Sequence, residues 1–222
     1  MAATPRLVLV PGLGVDARVF YPQAAAFPDL LVPPWLPPEQ RESLAHYAKR
    51  LAAGVRAVER GPVVVGGLSL GGMIALEMSR HLDARAVVLI ASCRSPAAVC
   101  GPLRMAERLG RAVPSVAVSW SLRLAPLFCG RGGGISRQDR KLLGQMVAEV
   151  SVPLLRWGAR AIMEWPGAAE SSAPVHHIHG DHDWVIPLRC VAATVVVPGG
   201  SHVLNLSHAR EVNEMLREVV GA

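Results

Sequence analysis

The sequence predicts an α/β architecture: a mostly parallel central sheet flanked by helices, with a helical cap insertion over one end of the sheet. Three observations predict it. The runs Leu7–Val10, Val63–Val65 and Ala86–Ile90 are apolar at every position rather than at alternate ones, as strands are when a parallel sheet is covered on both faces. Between them the apolar period becomes that of a helix, with Leu44, Tyr47, Leu51, Val55 and Val58 recurring at steps of three and four. The alternation then stops over 95–165. There Pro96, Pro102, Pro114, Pro126, Pro153 and a Gly132-Gly133-Gly134 turn divide short helical stretches, and no strand pattern occurs.

Taken in order, Leu7–Val10 is the first strand, stopped by Pro11-Gly12. Residues 11–28 read as loop because of Pro11, Gly12, Gly14, Pro22 and Pro28. Leu30–Val32 reads as a second strand, closed by Pro33-Pro34. A helix over 44–58, the strand Val63–Val65, a helix over Leu70–Arg80 and the strand Ala86–Ile90 follow. Beyond the insertion, Val175–Ile178 and Thr194–Val197 read as strands, and the last helix places Val212, Met215, Leu216 and Val219 on one face. The 222 residues are read as one domain carrying the insertion at 95–165.

Composition narrows the function. With 51% hydrophobic and 18% charged residues the chain buries a core, which excludes wholesale disorder. No apolar run reaches the ~18 to 20 residues of a membrane span. Leu7–Val10 is too short for the apolar part of a signal peptide, so a cytoplasmic protein is expected. Cys93, Cys100, Cys129 and Cys190 form no C-x-x-C pair and read as reduced, mostly buried thiols. The net charge of +6 is unevenly spread: residues 94–160 hold eleven Lys or Arg against three Asp or Glu, a net of +8, which leaves −2 elsewhere. No nucleic-acid recognition motif and no interleaved aromatic residues accompany these charges, so nucleic acid is not an expected partner.

Two segments carry chemistry. Gly67-Leu68-Ser69-Leu70-Gly71 is a G-x-S-x-G pentapeptide placed after a buried strand and before a helix. A serine on such a turn is lifted above the sheet edge, and the N–H groups after it face developing negative charge at a helix start. A serine hydroxyl needs a base, and the base needs an orienting carboxylate. His202 follows the last strand in Gly199-Gly200-Ser201-His202. Asp181 and Asp183 follow the strand before it, in Gly180-Asp181-His182-Asp183-Trp184-Val185-Ile186-Pro187. The chain order serine, acid, histidine is that of nucleophile-elbow hydrolases.

Pro11-Gly12-Leu13-Gly14, Gly67–Gly71, and Gly180–Pro187 with Gly200–His202 together resemble the α/β-hydrolase family, over nearly the whole chain. The resemblance implies Ser69 as nucleophile, His202 as base, Asp183 as acid with Asp181 as the fallback, and no cofactor. It implies an oxyanion hole from the backbone N–H groups of Leu70 and Leu13, with Gly14 as the other first-loop donor, and it makes 95–165 the cap. Many members begin that loop with His-Gly where this chain has Pro11-Gly12; backbone donors do not need the histidine. Serine at the elbow, where halide- or epoxide-opening relatives carry aspartate, implies a small-molecule acyl substrate, an ester or thioester first, with C–C bond hydrolysis and acyl transfer also open. Trp120, Phe128, Met146, Trp157, Met163 and Trp165 either line its pocket or pack the cap. The basic insertion is either solvated surface or a contact for an anionic substrate or an acidic carrier protein. A catalytically silent, ligand-binding member is the other class of function.

A metal reading competes locally. His177-Ile178-His179-Gly180-Asp181-His182 fits H-x-H-x-D-H, a zinc-hydrolase signature. That reading needs further ligands far downstream, where only forty residues follow His182, and it leaves Gly67–Gly71 unexplained.

Overall fold

The computed structural model is described over residues 4–99, 134–168 and 171–221. Its strands are β1 Arg6–Val10, β2 Val63–Leu68, β3 Ala84–Ile90, β4 Val175–Gly180 and β5 Val195–Val197. They form one sheet in the order β1-β2-β3-β4-β5, every neighbour parallel. The helices are α1 Tyr21–Ala26, α2 Leu44–Val58, α3 Leu70–Met78, α4 Arg137–Glu149, α5 Val152–Glu164, α6 Leu204–Ser207 and α7 Ala209–Gly221.

The strand pleat divides the core in two. Val8, Val10, Val63, Val65, Val87 and Leu89 point to one face, where α2, α3 and α5 cover them. Leu7, Leu9, Val64, Val88, Ile90 and Ile178 point to the other, against α4, α6 and α7. The central strands β2 and β3 are therefore covered on both faces, which is why they lack polar alternation, whereas Val195 and Val196 of the edge strand β5 are exposed. Helix starts follow local chemistry: Ser43, Ser136 and Ser151 accept from the N–H groups of His46, Asp139 and Leu154 at 3.2, 3.0 and 3.3 Å, capping α2, α4 and α5.

Three sequence expectations change. Leu30–Val32 is not a strand: Leu31 alone bridges to Val8, through Leu31 N–H to Leu7 O at 2.9 Å and Leu9 N–H to Leu31 O at 3.0 Å. Pro33-Pro34 has no N–H to extend the ladder. Residues 11–28 are not all loop: a 3-10 turn at Ala17–Phe20 runs into α1, whose first turn holds Pro22, where proline favours a helix start. And β4 continues through His179 to Gly180, so the strand reaches further than its apolar signal.

Candidate active site

Ser69, Asp183 and His202 each follow a different strand, and all lie at the C-terminal edge of the sheet. Ser69 sits between β2 and α3 with φ 52° and ψ −119°, a positive φ for a residue with a side chain. Such a backbone costs about 1–3 kcal/mol and persists only where the surroundings enforce it. They do so here. The Ser69 N–H donates to Ile90 O at 3.0 Å, and its carbonyl accepts from the Ser92 hydroxyl at 2.7 Å and from Gly72 N–H at 3.0 Å. A Cβ on Gly67 or Gly71 would run into the opposite backbone, including Val10 O at 2.6 Å from a Cβ on Gly67, so the turn closes only with glycine there.

The His202 Nε2 lies 2.9 Å from the Ser69 hydroxyl oxygen, and its Nδ1 lies 2.7 Å from Asp183 Oδ2. The other Asp183 oxygen accepts from Val185 N–H at 2.8 Å and Ile186 N–H at 2.9 Å. Burial opposes ionisation of Asp183, but the charge and hydrogen bond of His202 and the Ile186 N–H outweigh it, and its pKa falls below the ordinary carboxylate value. Asp181 is exposed and turns away, accepting from Gly199 N–H at 2.7 Å. The two loops touch backbone to backbone at Gly180 and Gly200, and His182 N–H donates to Gly200 O at 3.0 Å. That contact holds the Asp183 turn beside the His202 loop.

Leu70 opens α3, so its N–H has no partner within the helix. Leu13 lies in the loop after β1, and its side chain meets α5: a Cβ on Gly158 would fall 2.5 Å from Leu13 Cδ1 and 3.1 Å from Leu70 Cδ2. Gly14 has φ 87° and borders Leu155 and Val147.

Of the aromatic and methionine candidates, Trp120 and Phe128 lie outside the described residues. The Met146, Trp157 and Trp165 expectation needs correction. They are only 1%, 4% and 3% exposed, and the two indole N–H groups are already used, on Glu42 O at 3.0 Å and Glu77 Oε1 at 2.8 Å. Trp157 also packs on Tyr47 with ring centroids 4.1 Å apart. These side chains are packing, because amphipathic rings are stable inside when their N–H finds an acceptor. Cys93 is buried and Cys190 exposed, both free; Cys100 and Cys129 fall outside the described residues.

The H-x-H-x-D-H side chains do not converge. His177 Nε2 is 3.0 Å from His179 Nδ1, His179 Nε2 is 2.8 Å from Ile186 O, and Asp181 and His182 are exposed. Among the described residues the ligand atoms of Glu39, Glu42 and His46 do come together, but Arg50 Nη1 occupies both Glu42 oxygens at 3.0 Å. The sequence did not point to Ser92 or Gly158, and it pointed to His179 only through the metal reading. His179 carries a further signal: two histidines two apart on a buried strand share one face.

The alpha/beta hydrolase family model matches residues 7–215. The chain belongs to the alpha/beta hydrolase family. No curated protein matches it. Among solved structures, this alpha/beta hydrolase is similar to a bromoperoxidase from Bacillus anthracis, with TM-score 0.79 and 17% identity, covering 100% of this chain and 94% of that one. It is similar to a thermophilic esterase from Thermogutta terrifontis, with TM-score 0.72 and 18% identity over 98% and 90% of the two chains. The type II thioesterase of the borrelidin biosynthetic cluster aligns with TM-score 0.68 and 20% identity over 99% and 94%. At these identities the likeness is one of fold. No helix among the described residues is long and apolar enough to cross a membrane.

Proposed function

We propose that this alpha/beta hydrolase is a serine hydrolase that cleaves a carboxylic ester or thioester through an acyl-enzyme. The observation that carries the reading is the continuous chain from the Ser69 hydroxyl to His202 Nε2 at 2.9 Å and from His202 Nδ1 to Asp183 Oδ2 at 2.7 Å. Family membership and the esterase and thioesterase neighbours support it.

The proposed steps use this geometry. His202 takes the Ser69 proton on Nε2 as the serine oxygen bonds to the acyl carbon. Asp183 accepts from Nδ1–H, holds that tautomer and stabilises the imidazolium. The N–H of Leu70, with Leu13 or Gly14 from the first loop, receives the oxyanion; each such donor is worth a factor of ~10²–10³ in rate. His202 returns its proton to the leaving alcohol or thiol. It then deprotonates water, which attacks the acyl-enzyme; as the acyl–oxygen bond breaks, His202 returns that proton to the Ser69 oxygen and the acid is released. Of the insertion over 95–165, α4 and α5 are described; the approach of α5 Gly158 to Leu13 and Leu70 supports reading α5 as part of a cap beside the acyl site.

Ser69→Ala should reduce turnover of an activated ester by ~10⁴-fold or more with the fold intact. A fluorophosphonate should label the wild-type chain at Ser69. A folded sample that neither labels nor turns over esters favours a silent ligand-binding member instead.

A further inference from the structure

The acid of the site is held from behind by two residues that the acyl-transfer steps do not use. Asp183 presents one oxygen to His202, and its other oxygen is clasped by the N–H groups of Val185 and Ile186 at 2.8 and 2.9 Å. The clasp works only if the 183–186 turn keeps its shape. On the far side of that turn the Ile186 carbonyl meets His179 Nε2 at 2.8 Å. A carbonyl can only accept, so this nitrogen carries the proton and His179 Nδ1 is left bare. That bare nitrogen lies 3.0 Å from His177 Nε2, which must then donate. The Ile186 carbonyl thus fixes the tautomer of His179, while the His177 ring also meets the backbone at Ala192 and Ser92. His179 Nε2 is also 3.3 Å from Asp183 Oδ2, the oxygen that faces His202, so its N–H dipole favours the carboxylate. His179 is fully buried and His177 is 2% exposed. Burial holds both imidazoles below their ordinary pKa, in the neutral form this arrangement needs.

We propose that His179, braced by His177, is a positioning residue that locks the Asp183 turn and thereby keeps the acid aligned with His202. This rests on the serine-hydrolase reading above. The ionisable groups facing the pair are Asp183 and His202 on the site side, with Arg94 acting on His177 and Cys93 near Asp183 from the segment after β3. None of these others reaches the Ile186 carbonyl by a hydrogen bond among the described residues.

The test is a pH–rate series on an activated ester with wild type, His179→Leu and His179→Gln, kcat and KM separated. Gln can still donate to Ile186 O; Leu cannot. His179→Leu should lose ~10-fold or more in kcat with KM little changed, the scale of one hydrogen bond that supports a charge. The acid limb of its kcat/KM profile should move to lower pH, because the His202 imidazolium is less well opposed by Asp183. His179→Gln should recover most of both effects. Equal losses in the two variants, or an unmoved acid limb in His179→Leu, overturn the proposal. If His179→Leu does not fold, His177→Leu against His177→Gln is read by the same criteria. Fluorophosphonate labelling separates the two levels. An unlabelled wild type sinks the serine-hydrolase reading with this one, whereas a labelled, active wild type with indistinguishable His179 variants sinks only the role of His179.

Discussion

Ser69 stands at the N-cap of α3 and yet does not cap it: its hydroxyl accepts no helix N–H and faces His202 instead. Serine at an N-cap ordinarily turns its oxygen inward. Here the positive φ turns it out, and Ser92 holds the serine's own carbonyl so that it cannot relax. The same contrast between neighbours separates the two acids. Asp183→Asn should lower kcat/KM by ~10⁴-fold, since it can favour the wrong His202 tautomer. Asp181→Asn should cost little, because its carboxylate is exposed and accepts from the Gly199 N–H rather than from His202. A larger loss at Asp181 in steady-state assays would reverse the assignment. His177 makes stability depend on pH. Burial, and then the neighbouring His179, push its pKa down to about 4. The unfolded imidazole titrates near ~6.5, so between those values the unfolded chain binds a proton that the folded chain refuses. Stability should therefore fall as pH drops from ~6.5 towards 4 and level off below, by on the order of 3 kcal/mol. Urea midpoints that stay flat over this range would contradict the burial argument.

Among the elements, α5 packs against both Leu13 and Leu70. It carries Gly158 in its interior, where glycine costs about 1 kcal/mol relative to alanine. The space explains it: the helix crosses Leu13 and Leu70 so closely that a Cβ would displace Leu13. Gly158→Ala should leave stability within ~1 kcal/mol, a propensity gain set against crowding, while kcat/KM drops ~10-fold through the shifted first loop. Equal activity would show that α5 and the proposed oxyanion donors are uncoupled. Elements with a long, regular pattern were legible beforehand, α2 and α7 above all, because a buried helix face has to repeat at its own period. Leu31 was not, because a one-residue bridge has no period to read. Met146, Trp157 and Trp165 misled for a related reason: apolar side chains look alike in sequence whether they meet a substrate or each other.

Across the whole molecule, charge is concentrated where the insertion lies. Six of the eleven basic residues of 94–160, Arg94, Arg137, Arg140, Lys141, Arg156 and Arg160, fall among the described residues. If the field of the insertion steers an anionic substrate or an acidic carrier protein, kcat/KM for an anionic ester should fall as salt rises while that of a neutral ester stays level. Parallel salt curves would remove steering from the account. The chain's own order of residues was enough to settle the layered α/β class, because strands covered on both faces must be apolar throughout. It also marked Ser69, Asp183 and His202 as candidates, because elbow glycines and strand-end acids and bases leave local patterns. Three matters required the folded molecule: which aspartate turns inward, what stands behind it, and how near α5 comes to the first loop. These are distances between segments up to a hundred and more residues apart, set by backbone contacts such as Gly180 on Gly200, and no local pattern encodes them.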